Sequence, residues 1–248
     1  MRFVIALKPL ENKIPISNRN IGMSLIKAAI KIENEELFND MFFYGDKKNK
    51  KIKPIAFSIY INDFKINKND IDVNGDILIN ISTPSNRIGL TIFNGIIKLK
   101  NKGEFKYKNY SFKLLNIRLL EEKAINTNII KCKTLSPIYI RDINGKSISI
   151  EDKEKFEEGL NYVSNIFLES YRGYGLKERL IFEPRYMKKN VIKEEIDEFK
   201  NQTNKQFMFI NAFSGVFALK GNVDDLKVLM QSGIGFRRTQ GFGLLDLA

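Results

Sequence analysis

Residues Ser232–Leu247 read "SGIGFRRTQGFGLLDL", with Gly233, Gly235, Gly241 and Gly243 set around Arg237, Arg238, Thr239 and Gln240. Two phosphate-loop readings of this stretch fail at single positions. A dinucleotide fingerprint G-x-G-x-x-G needs glycine at position 238 and a further helix and strand; Arg238 stands there and only ten residues follow. A Walker-type loop needs Gly-Lys-Ser/Thr, and "QGFGLL" carries no lysine. The glycines are therefore expected to let the backbone pack closely on its own domain, or on a polyanion that the arginines also touch.

The flanking segments set the fold. "NVDDLKVLMQSG" reads as a short helix capped by Asn222 and ended by Gly233, and "GFGLLDL" as the strand after it. Further upstream, "QFMFINAFSGVFALKG" and "RLIFEPRYMKK" alternate as strands, the first bent or bulged near Gly215. Glu151 to Tyr171 is the clearest helix, with Phe156, Leu160, Val163 and Phe167 on one face. "IIKCKTLSPIYI" reads as a strand, and Asn144-Gly145 as the turn of an added hairpin into "KSISI".

The N-terminal half runs in the same order. "RFVIAL" is a strand, and Ser17 is expected to cap a helix through "NIGMSLIKAAIKI". A charged loop, "GDKKNKKIKP", leads to the strand "IAFSIYI", and a turn at Asn74-Gly75 leads to a further strand. "PSNRIGLTIFNGIIKLK" forms a second helix and "YSFKLLNIRLLEE" a fourth strand. Each half is thus βαββαβ, and the fold class expected is α+β: two tandem ferredoxin-like domains, residues 1–125 and 126–248, joined near 121–128.

The 248 residues include 41 Lys+Arg against 29 Asp+Glu, a formal charge of +12, which points to a polyanionic partner, nucleic acid before anionic membrane. The lone Cys132 reads as a small buried apolar side chain. Histidine is absent. That excludes Ser-His and Cys-His nucleophile pairs, paired-histidine ribonuclease chemistry and nearly all zinc hydrolases. No run of about 18 apolar residues occurs, and charge interrupts the opening "MRFVIALKPLENK", so the expected location is the cytoplasm.

Three segments carry a resemblance to a known family. They are the G-x-G-x5-G-x-G pattern from Gly233 to Gly243, "TLSPI" at Thr134 to Ile138, and the opening "MRFVIALKP". Together they resemble the CRISPR-associated endoribonuclease that processes precursor CRISPR RNA, the sixth Cas family within the RAMP superfamily. The resemblance spans essentially the whole chain. It implies tandem ferredoxin-like folds and recognition of CRISPR repeat RNA, as precursor and as mature guide. It also implies cleavage within each repeat that needs no metal and no cofactor. Homodimerisation and a place in an interference complex are left open.

Many members of that family place a tyrosine on the first helix, a histidine just after it and a lysine before the next strand. Here the tyrosine position falls on Lys27, the histidine region on "NDMFFYG", and the lysine position near Lys51 or Lys53. The candidate catalytic residues are therefore Lys27 and one of Lys51 or Lys53, holding and stabilising the scissile phosphate, with Tyr44 as proton donor or orienting group. Lys47, Lys48 and Lys50 are candidate RNA contacts from the charged loop. So are Arg237, Arg238, Thr239 and Gln240 between their glycines, and Arg19 at the first helix's N-terminus. Each has a plainer reading: a polar helix face, a packed aromatic, a solvated loop, or glycines that only pack. The alternative function is a protein that binds the repeat without cutting it, and a structural subunit of an interference complex is a third.

Overall fold

The computed structural model describes residues 1–45, 47–49, 51–68, 70–195 and 207–248. The chain divides into two compact units, Met1–Glu122 with Thr239–Gly241, and Lys123–Arg238 with Phe242–Ala248. Among the described residues no helix is long and apolar enough to cross a membrane.

The first unit is built on β1 (Arg2–Pro9), α1 (Arg19–Glu33), β5 (Ala56–Ile61), β8 (Ile77–Ser82), α3 (Asn86–Asn101) and β10 (Tyr110–Leu120). Shorter pieces fill the connections. They are β2 (Lys13–Pro15), α2 (Glu35–Phe42), β3 (Phe43–Tyr44), β4 (Lys47–Lys48), β6 (Phe64–Ile66), β7 (Asp70–Val73) and β9 (Phe105–Tyr107). The main sheet runs β5-β8-β1-β10-β9 and every neighbouring pair is antiparallel. Its core strands therefore lie second, third, first, fourth, the order a βαββαβ chain gives when both helices cross to one face.

That face is apolar because α1 turns Ile21, Leu25, Ile26, Ala29 and Ile30 inward and α3 turns Ile88, Ile92, Ile96 and Leu99. The helices touch backbone to backbone at one point. A Cβ on Gly95 would lie 2.0 Å from the Ala29 carbonyl oxygen, so only glycine lets α3 approach the helix that carries Lys27.

The second unit repeats the plan with β11 (Ile129–Thr134), α4 (Lys153–Arg172), β12 (Ile181–Glu194), β13 (Met208–Lys220), α5 (Val223–Ser232) and β14 (Leu245–Leu247). Its sheet order, β12-β13-β11-β14, is again second, third, first, fourth. Asp152 caps α4 by accepting from the Lys155 amide, and Asn222 caps α5 by accepting from the Asp224 amide. Phe156, Leu160, Phe167, Phe182, Phe217 and Leu226 centre the core. The two units are tandem ferredoxin-like domains of α+β class.

Several local expectations change. Asn18, not Ser17, holds the N-cap position of α1, and Ser17 is buried, its hydroxyl accepting from the Asn20 amide group. The charged segment after residue 42 is not wholly a loop, since Phe43 and Tyr44 pair with Lys48 and Lys47. The Asn144-Gly145 turn closes a single bridge, Arg141 to Ser147, because the Asp142 carboxylate draws in the Asn144 and Lys146 amides and tightens the loop.

Candidate active site

Lys27 stands on the exposed face of α1, one turn beyond Met23. The chain leaves α1 at Asn34, whose side chain accepts from the Leu37 amide and starts α2. Glu35 and Glu36 follow in the first turn, where helix N-termini favour negative charge. Apolar spacing on α2 then delivers Phe38 and Phe42 beside Lys27, with Phe42 only 8% exposed. The Lys27 ammonium lies 5.0 Å from the Phe42 ring centroid, and the Lys53 ammonium 5.5 Å from the same centroid.

Asn49 fastens the segment that brings Lys53 there. Its backbone N–H donates to the Phe42 carbonyl at 2.8 Å, and its side-chain amide to the Asp40 carbonyl at 2.8 Å. Its Oδ1 accepts from the Lys51 amide at 2.8 Å. The Lys53 ammonium donates to the carbonyls of Asn49 and Lys51, both at 2.8 Å. Burial, and then the neighbouring Lys27 charge, hold the Lys53 ammonium below its ordinary value of 10.5. These side chains wall a recess of about 260 Å³, to which Met23, Phe38 and Phe43 add apolar surface and Thr239 and Gln240 a polar edge.

The glycine-rich loop has a different structural task at most of its length. Gly233, Gly235, Gly241 and Gly243 are all buried and all have positive φ, 72°, 79°, 80° and 67°. The loop lies on the "TLSPI" segment. Gly243 donates to the Pro137 carbonyl, the Leu244 amide donates to Ser136 Oγ, and the Leu135 and Ser136 amides donate to the Leu244 carbonyl. Gly243 also accepts from the Ile234 amide, and a Cβ there would fall 1.8 Å from the Ile234 carbonyl oxygen.

The family model described as "CRISPR associated protein Cas6, C-terminal" matches residues 120–247, just over half of the chain. The chain belongs to the Cas6 family. The solved structure of a Cas6-related gene from Pyrococcus furiosus is similar along 100% of this chain and 98% of that one, with a TM-score of 0.80 and 22% identity. A RAMP protein binding different RNA substrates matches with a TM-score of 0.78 and 21% identity, covering 100% of this chain and 99% of the other. A further structure of CRISPR associated protein Cas6 matches at 0.70 and 21% over 100% and 99%. At these identities the likeness shows the fold. A search of curated protein sequences finds no significant match.

Within this Cas6 chain the structure brings Lys27 and Lys53 to one recess, together with Thr239 and Gln240. Lys51 is exposed and contributes its backbone to Lys53; Lys47 is exposed on β4, paired with Tyr44; Lys48 pairs with Phe43. Lys50 lies outside the described residues. Tyr44, 79% exposed, lines a different and more open recess of about 580 Å³ with Asn39, Asp40, Phe43 and Gly45. The Arg19 Nε donates to the Gly241 carbonyl at 3.3 Å.

Arg237 and Arg238 part company. Arg237, at φ 59°, holds its guanidinium 5.8 Å from the Tyr139 ring centroid, and burial lowers its pKa. Arg238 is only 7% exposed, with its guanidinium 3.9 Å over the Phe167 ring, and burial pushes its pKa down to about 10. Tyr139 and Phe242 are 1% and 0% exposed and pack against each other.

Sequence reasoning missed Met23, Phe38, Phe42, Phe43 and Asn49. The signal for α2 was present as Asn34 followed by two glutamates and an apolar period. Among the described residues no group of three or more His, Cys, Asp or Glu side chains could hold a metal ion.

Proposed function

We propose that this Cas6-family chain is an endoribonuclease that cuts CRISPR repeat RNA without a metal, through a histidine-free site centred on Lys27 and Lys53. The observation that carries the reading is the convergence of these two ammonium groups on one ring in one recess. Two cations beside an apolar floor suit a phosphodiester better than any neutral substrate. The solved RAMP relative described as binding different RNA substrates gives the RNA reading further support.

In the step proposed, the ribose 2′-oxygen attacks the adjacent phosphorus and gives its proton to water or hydroxide. The P–O5′ bond breaks, and O5′ takes a proton from the Lys53 ammonium. The products are a 2′,3′-cyclic phosphate and a free 5′-hydroxyl. Lys53 suits the donor role because burial and the Lys27 charge lower its pKa, which makes its ammonium a stronger acid. The Lys27 ammonium stabilises the extra negative charge of the phosphorane. Holding the RNA in line supplies the rest of the rate.

The absence of histidine favours one second reading, a protein that binds the repeat and leaves it intact. Incubation of purified protein with its own repeat RNA in EDTA separates the two. A single cut ending in a 2′,3′-cyclic phosphate is the expected result. Tight binding of intact RNA would establish the binder instead, and no preference for the repeat over unrelated RNA would sink both.

A further inference from the structure

Phe43 belongs to two recesses at once. On one side it adds to the lysine recess with Lys27 and Lys53; on the other it walls the open recess with Tyr44, Asn39 and Asp40. Its placement follows from the end of α2, where Phe42 turns inward and the next residue takes an extended conformation, φ −126° and ψ 156°, leaving the Phe43 ring 42% exposed. The ring is braced from behind by Phe38, at 5.7 Å between centroids. Tyr44 follows on the same short strand and is 79% exposed. The polar rim is Asn39 and Asp40, and the Asp40 carbonyl is the group that anchors the Asn49 side chain and with it the segment leading to Lys53.

A cation pair and an aromatic recess that share one wall stand side by side, as the charged and stacking parts of a nucleotide do. We infer that the recess walled by Phe43 and Tyr44 is a nucleobase subsite, which receives the base next to the scissile phosphate and offers Asn39 and Asp40 to its edge. This rests on the proposed RNA-cleaving reading of the lysine recess. An exposed tyrosine and a braced phenylalanine present π surface with little loss of side-chain freedom. A carboxylate and an amide accept from the exocyclic amines of bases, contacts that a phosphate oxygen cannot supply. The subsite gives Tyr44 a stacking role in place of proton transfer.

The test uses the full chain and its repeat RNA carrying a single 2-aminopurine, moved position by position through the repeat. A 2′-deoxy sugar before the scissile bond prevents cutting, so that binding alone is read. At one position beside the scissile phosphate, fluorescence should be quenched on binding. Phe43→Leu and Tyr44→Leu keep an apolar side chain but remove the ring. Each should abolish most of that quenching and weaken binding by roughly 5- to 150-fold, the range for a lost stacked base. Tyr44→Trp should preserve the quenching. Unchanged quenching in both leucine variants would overturn the subsite. The two readings fail separately. Ring-dependent quenching with RNA that stays uncut when the 2′-hydroxyl is present removes the nuclease and keeps the subsite. Cleavage with no ring-dependent quenching does the reverse.

Discussion

Lys27 and Lys53 set their ammonium groups over one ring, that of Phe42, at 5.0 and 5.5 Å from its centroid. If Lys53 is the proton donor, the cleavage rate rises with pH as the 2′-hydroxyl is more easily deprotonated, then falls as Lys53 loses its proton. Burial and the Lys27 charge place that fall below 10.5. Single-turnover cleavage measured across alkaline pH should show it. Lys27→Met should move the fall upward by removing the repelling charge, and should slow cleavage by about a hundredfold. Lys53→Arg, whose guanidinium keeps its proton, should show no fall in that range.

The same crowding should lower stability. A lysine whose folded-state pKa lies below its unfolded value binds fewer protons when folded, so stability rises with pH between the two values and the charged form disfavours folding below them. Lys53→Met is therefore expected to raise the melting temperature at neutral pH. The rise should be about 1–2 °C, since a half-exposed side chain contributes within ~0.5 kcal/mol and a chain this long shifts ~2–4 °C per kcal/mol. The gap should shrink as the pH approaches 10.5. Thermal melts at pH 7 and pH 10 check this, and a lower melting temperature at pH 7 would contradict it.

Periodicity and turn residues were enough to read both βαββαβ units, because α1, α3 and α4 each bury one clear stripe. The site was only partly legible. Lys27 could be placed on its helix face, and Lys53 ahead of β5, but nothing local distinguishes Lys53 from Lys51. Their difference comes from Asn49, whose bonds to Phe42 and Asp40 depend on where α2 ends. The arginine pair could not be told apart in the sequence for a related reason. Adjacent residues in a tight loop point in unlike directions, so Arg238 packs on Phe167 while Thr239 and Gln240 reach the lysine recess.

The glycine loop should report first on folding. In Gly243→Ala the new methyl carbon would stand 1.8 Å from the Ile234 carbonyl oxygen at a φ of 67°, so backbone must move and break the pairing with Ile234. A loss of about 3–5 kcal/mol is expected, against about 1–2 kcal/mol for Gly103→Ala, where φ is 90° and nothing lies within 4 Å. Urea unfolding of the two variants gives the comparison. Equal losses would mean that the loop relaxes freely around position 243.

Arg238 allows the packing and RNA-contact readings of the same loop to be separated. Its guanidinium is buried over Phe167, so its alkyl stem and planar head act largely as apolar filling, while burial of the charge opposes folding. Arg238→Ala removes the filling and should cost about 2 kcal/mol, seen as a melting temperature lower by about 4–8 °C. Arg238→Met keeps most of the volume without the charge, and should melt at or above the parent temperature, as buried charges replaced by apolar groups of similar size often do. Repeat-RNA affinity measured on the methionine variant then decides the second reading. Binding within about twofold of the parent assigns Arg238 to the interior. A loss of about tenfold or more, the size expected for a lost charge-assisted hydrogen bond at unchanged stability, assigns it a phosphate in the bound state.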